Sequence, residues 1–132
     1  MPPKKLVRKP SAPQPWVMSV AVMVNDRERS KRWYLEKLHL ALLTDEDHWV
    51  TVGRKGRGGA LHLCQVSEAG EGAALEPGNT GILLQLGGDF AANCADLQKG
   101  GLEFRVPPTK ADWGTYATIV DPDGNELVLM PS

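Results

Sequence analysis

The chain has 132 residues, of which 42% are hydrophobic and 23% charged, with a net charge of −1. That length suits one domain, and that composition can bury a core. No apolar run approaches the roughly 18 residues of a membrane span, and the basic start lacks the apolar stretch of a secretory signal. A cytoplasmic location is therefore expected, and no membrane partner. Residues 1–15 carry Lys4, Lys5, Arg8 and Lys9 and no acid, which leaves 11 basic against 16 acidic residues elsewhere, a balance near −5. A body of that sign excludes nucleic acid as its partner and favours a neutral or cationic ligand. Cys64 and Cys94 stand in no metal-type spacing and are expected as reduced, buried thiols.

Residues 1–15 are basic and rich in proline, which predicts a flexible tail ahead of a domain over 16–132. From Trp16 a strand is expected, with Val20, Val22 and Val24 on one face. Asn25 or Asp26 offers an N-cap for a helix from Arg27 to Leu38, where Tyr34 and Leu38 share a face. Three strands follow near 40–44, 49–52 and 60–66. The last two are joined by Gly53-Arg54-Lys55-Gly56-Arg57-Gly58-Gly59. Arg54, Lys55 and Arg57 between the glycines could bind an anion, but the spacing does not fit a phosphate-binding P-loop, and a solvated hairpin loop is the favoured reading. Residues 67–78 are polar and read as a linker.

The second half repeats the first. Ile82, Leu84 and Leu86 form a strand face, and Phe90, Cys94 and Leu97 form a helical stripe that ends at Gly100-Gly101. Strands follow near 102–106, 116–120 and 126–130, the last two joined by the turn Asp121-Pro122-Asp123-Gly124. One offset of 62 residues brings Val20, Val22 and Val24 onto Ile82, Leu84 and Leu86, and Leu40 and Leu42 onto Leu102 and Phe104. One such unit cannot bury both faces of its sheet, but two can. The expected fold is α+β: two βαβββ modules, 16–66 and 79–131, forming a curved mixed sheet around a central cavity. Open sheet edges make a homodimer the expected assembly.

From Trp16 to Met130 the chain resembles the vicinal-oxygen-chelate superfamily, which includes glyoxalase I, extradiol dioxygenases and the bleomycin- and fosfomycin-resistance proteins. The residues that carry the resemblance are Val20-Ala21-Val22-Met23-Val24-Asn25-Asp26 with Ser30 and Trp33-Tyr34, Leu38-His39-Leu40, Trp113-Gly114 and Asp121-Pro122-Asp123-Gly124-Asn125. Members with metal chemistry hold a divalent ion on the first and fourth strands of each module. The resemblance places those positions at Ser19, Gly81 and Val128, with His62 at or near the remaining one. Serine, glycine and valine are poor ligands for Zn, Fe, Ni or Mn. No metal and no cofactor is therefore expected.

Strand alternation turns Leu61 and Leu63 toward the helix and His62 and Cys64 toward the cup. His62 is either a general acid or base or a histidine that only hydrogen-bonds. Glu126 lies two residues before Val128, on the same strand face. These two are the catalytic candidates. Trp49 and Trp113, with Gln85, Met23 and Val128, are the ligand-binding candidates. His39 and His48 read as surface or cap residues. The first functional reading is a metal-free protein that sequesters or acts on a drug or metabolite. The alternative is a lyase- or isomerase-type enzyme using His62 or a non-standard divalent metal. A third is a protein-interaction module that has lost its site.

Overall fold

A computed structural model describes residues 13, 15, 17–56, 58–68 and 77–132. Most of the expected tail, together with Trp16, Arg57 and positions 69–76 of the expected linker, lies outside the described residues. The first module contains β1 (Val20–Val24), α1 (Arg27–Glu36), β2 (Ala41–Glu46), β3 (Trp49–Gly53) and β4 (Ala60–Gln65). The second contains β5 (Asn79–Leu86), α2 (Phe90–Lys99), β6 (Glu103–Ala111), β7 (Gly114–Val120) and β8 (Glu126–Pro131). The fold is α+β, with two βαβββ modules.

Each helix starts where the sequence offers an acceptor. The Asp26 carboxylate accepts from the Arg29 amide at 3.2 Å, and the Asp89 carboxylate from the Ala92 amide at 3.1 Å. Both replace a partner that the first helical turn lacks. α1 ends at Glu36 rather than Leu38. His39 sits at φ 62, in the left-handed region, and this reversal lets the Leu40 amide reach back to the Tyr34 carbonyl at 3.0 Å. His39 is exposed and terminates the helix, as its place in the sequence suggests.

The strands form two mixed sheets of order β1-β4-β3-β2 and β5-β8-β7-β6. In each, the first strand pairs parallel to the fourth and the rest are antiparallel. β1 and β5 are thus edge strands. The 62-residue offset holds from β1 to β5 and from β2 to β6, but β4 starts 19 residues after β2 begins while β8 starts 23 after β6 begins. The β6–β7 hairpin is longer and carries two register shifts, which absorb part of the extra chain. The equivalence is therefore 66 residues at the last strand, and His62 matches Val128.

One core unites the modules. Val22, Val24, Tyr34, Leu38 and Leu63 from the first pack in a single cluster with Phe90, Leu97, Ile119, Leu127 and Leu129 from the second. Polar bonds fix the contact. The Tyr34 hydroxyl donates to the buried Asp121 carboxylate at 2.8 Å. Ser30 donates to Asp123 at 3.1 Å, and Arg29 pairs with Asp123 at 2.7 Å. The Asn125 amide donates to the Met23 carbonyl at 2.8 Å. At the other end of α1, Lys37 Nζ donates to the Gly100 carbonyl at 3.0 Å. Burial and the Asp121 charge push the Tyr34 hydroxyl's pKa up strongly, so it stays a proton donor.

Asp121→Ala strips the acceptor from Tyr34, from the Asp123 and Asn125 amides and from the Asn125 side chain. We expect this change to lower stability by about 3 kcal/mol or more, against about 1–2 kcal/mol for Tyr34→Phe. Urea unfolding of the two variants checks the ranking.

Candidate functional site

Strand register separates two faces on each sheet. In the first module Val22 and Leu63 enter the core, so Ala21 and Met23, paired with His62 and Cys64, lie on the other face. Thr51 pairs with His62, and Trp49 shares its side of β3. In the second module Leu127 and Leu129 enter the core, which turns Glu126, Val128 and Met130 outward. Leu83 and Gln85 pair with Val128 and Met130, and Thr118 flanks Val128 on β7. The candidates Met23, Trp49, His62, Gln85, Glu126 and Val128 all fall on these outer faces, three on each sheet. The faces look away from the shared core.

His62 is only 8% exposed. The Trp49 ring meets it edge to face, with centroids 3.9 Å apart and an interplanar angle of 87°. Burial, and then the positive charge of Arg27, lower the His62 pKa below 6.5. Arg27 is itself buried, with Nε donating to the Leu63 carbonyl at 3.3 Å and Nη1 to the Asp47 carbonyl at 3.0 Å. Among the described residues no hydrogen bond orients the imidazole. Cys64 and Cys94 are both free thiols, as expected; Cys94 is buried, whereas Cys64 is only half-buried. Burial pushes the Cys94 thiol up.

The second outer face is more open. Leu83 is 65% exposed and Trp113 63%. Trp113 stands in the two-residue turn between β6 and β7 and stacks on Tyr116, with centroids 5.1 Å apart and an interplanar angle of 29°. Glu126 is engaged, since Arg105 Nη1 meets its carboxylate at 2.9 Å. His62 and Glu126 lie on different sheets, and among the described residues no hydrogen bond or ion pair joins them. Sequence reasoning missed Tyr116, Arg105 and Thr51. Tyr116 had a signal, three residues beyond Trp113 on a hairpin. Arg105 had none, because a register shift between Phe104 and Val106 sets its side.

The metal positions do not fit a metal. Ser19 is half-buried just before β1, and Gly81, at φ 70, sits where the β5 register shifts. Val128 supplies no donor, and His62 alone cannot fix an ion that needs about three protein ligands. Among the described residues no group of three or more His, Cys, Asp or Glu side chains is placed to hold one.

Comparison with known proteins agrees with the two-module fold. The profile of the Glyoxalase/Bleomycin resistance protein/Dioxygenase superfamily matches residues 16–129. The chain belongs to this superfamily. A superfamily member from Sphaerobacter thermophilus DSM 20745 superposes with a TM-score of 0.77 at 28% identity, covering 90% of this chain and 98% of that one. TnmS3, an antibiotic binding protein from Streptomyces sp. CB03234, superposes at 0.72 with 31% identity, covering 89% and 96%. YetH of Bacillus subtilis (strain 168) is 26% identical over 123 residues, covering 84% of this chain and 93% of YetH. Among the described residues, no helix of this superfamily member is long and apolar enough to cross a membrane.

The lowered pKa of His62 gives a signed expectation. In the unfolded chain the ring protonates near the ordinary 6.5, while the folded environment resists the charge. Stability present above that value is lost as pH falls through it. Between about pH 7.5 and about pH 5, wild type should lose more stability than His62→Gln. Equal losses in denaturant titrations would contradict this.

Proposed function

We propose that this protein binds a small drug or metabolite, without a metal, in a cup that two chains build together. The observation that carries this reading is the pair of outer faces, each with an aromatic group and neither with a metal-binding set. Trp113 on Tyr116 offers a flat surface, and Trp49 closes on His62 at the matching place of the first module. The acidic body favours a neutral or cationic ligand. The likeness to TnmS3, an antibiotic binding protein, supports the same class. The protein acts in the cytoplasm, where both free cysteines stay reduced.

The open sheet edges support a homodimer. Both outer faces turn from the common core, so one chain leaves each as an open half-site. β1 and β5 are unpaired at their outer sides. Val17, Met18, Val20 and Leu83 beside them are 74%, 64%, 44% and 65% exposed. Pairing β1 of one chain with β5 of its partner covers this apolar strip and sets His62 and Trp49 opposite the second chain's Trp113 face.

A second reading is an enzyme of lyase or isomerase type with His62 as the base. It is favoured by the lowered pKa, which leaves the imidazole neutral at neutral pH. Catalysis by His62 predicts chemical turnover that His62→Gln abolishes. Sequestration predicts that a bound compound is recovered unchanged from both proteins.

Leu83→Lys should convert the dimer to monomer by sedimentation, since Leu83 is exposed in the single chain. The same change should abolish binding of any compound found in a thermal-shift screen. Trp113→Ala should weaken that compound by about tenfold while leaving the dimer intact. A Leu83→Lys monomer that binds as well as wild type would sink the shared cup. Elemental analysis of protein purified without chelator should find no stoichiometric metal. A metal at one per chain that is lost in His62→Ala would overturn the metal-free reading.

A further inference from the structure

The two modules treat their hairpins differently. In the second module, the β7–β8 turn is clasped to α1 through Tyr34, Ser30 and Arg29. In the first, the glycine-rich β3–β4 hairpin faces α2 at the equivalent place. Aligning the N-caps Asp26 and Asp89 puts Asn93 where α1 has Ser30 and Leu97 where it has Tyr34. Leucine has no hydroxyl to offer, and Asn93 turns its amide to the Gly87 carbonyl at 2.8 Å. Among the described residues no hydrogen bond or ion pair joins this hairpin to α2. A cavity of about 740 Å3 remains between them.

The walls of this cleft are apolar and its rim is cationic. Leu38, Leu40, Leu86 and Leu97 line it, and Arg54 and Lys55 stand over it on the hairpin. Both cations are exposed and have no partner among the described residues. Asp96 is the one carboxylate among the lining residues, so the charge balance favours an anion. A space of this size is typical of small-molecule sites. It is distinct from the His62 and Trp113 parts of the cup, because Leu38, Leu40 and Leu97 belong to the inner, helix side of the modules, and the two meet only at Gln85 on β5.

We propose that this cleft binds a single-chain amphiphile with an anionic head, a fatty-acid-type carboxylate. The chain lies along Leu38, Leu40 and Leu97 and leaves water. The carboxylate meets Arg54 and Lys55 at the mouth, where charge-assisted hydrogen bonds select it over a cation.

The test is calorimetric titration of the full chain with decanoate and with decyltrimethylammonium, a cation with the same length of alkyl chain. Decanoate should bind about tenfold more tightly than the cation, and the double variant Arg54→Glu, Lys55→Glu should erase that preference. These residues are exposed on a loop, so the variant should melt like wild type. Asp96→Asn, which removes the opposing charge, should tighten decanoate. Trp113→Ala, which disables the proposed cup, should leave decanoate binding unchanged. The proposal is overturned if decanoate does not bind, if the cation binds equally well, or if the double variant binds decanoate like wild type. It is also overturned if Trp113→Ala removes the binding, since decanoate would then occupy the cup.

Discussion

The Asp121 carboxylate is the constraint on which the rest of this structure depends. It is 3% exposed, and a buried carboxylate is tolerated only when its oxygens are saturated with donors. Four converge on it: the Tyr34 hydroxyl, the Asp123 and Asn125 amides and the Asn125 side chain. Three are local and shape the turn. The fourth comes from α1, 87 residues earlier, and ties the last hairpin to the first module. Asn125, held by Asp121, extends the link to the end of β1 through the Met23 carbonyl. The Asp-Pro-Asp-Gly-Asn segment is thus both a turn and the clasp between modules.

That clasp has consequences on both sides of the sheets. It holds the helix-side faces in one common core and leaves the other two faces outside it. Those outer faces carry the aromatic groups and the one buried histidine, and they are where the functional reading is concentrated. The clasp also has no counterpart in the other half of the pseudo-repeat. Leu97 in place of Tyr34 leaves the first module's hairpin standing off α2, with Arg54 and Lys55 at the mouth of the gap. A duplicated unit can in this way differ between its halves, because a few polar side chains, here Arg29, Ser30 and Tyr34, clasp one hairpin and have no counterpart at the other.

Much of this was legible along the chain. Alternation placed Leu61 and Leu63 inward and His62 and Cys64 outward, since a strand offers its residues only two directions. The N-cap of the first helix, the 62-residue repeat that relates β1 to β5 and β2 to β6, and the closing turn were equally plain. The repeat broke at the β6–β7 hairpin, because extra residues in a hairpin cost little and leave no mark in hydrophobic periodicity. The same register shifts hid Arg105, whose side of the strand depends on where the ladder slips. Glu126 read as a catalytic candidate; in the fold its carboxylate is paired with that arginine.

The sequence by itself determined the α+β class, the two-module plan, which strand residues share a face, and the lack of good metal ligands at Ser19, Gly81 and Val128. These are properties of local periodicity and of single side chains, which need no knowledge of distant contacts. Only the tertiary structure decided that His62 lies under the Trp49 ring with a lowered pKa, and that Trp113 stacks on Tyr116. It alone placed His62 and Glu126 on separate sheets and opened a cleft beneath the glycine-rich hairpin. Each of these depends on how far apart in space two segments come to rest, and that distance is set by packing and by the buried Asp121 clasp.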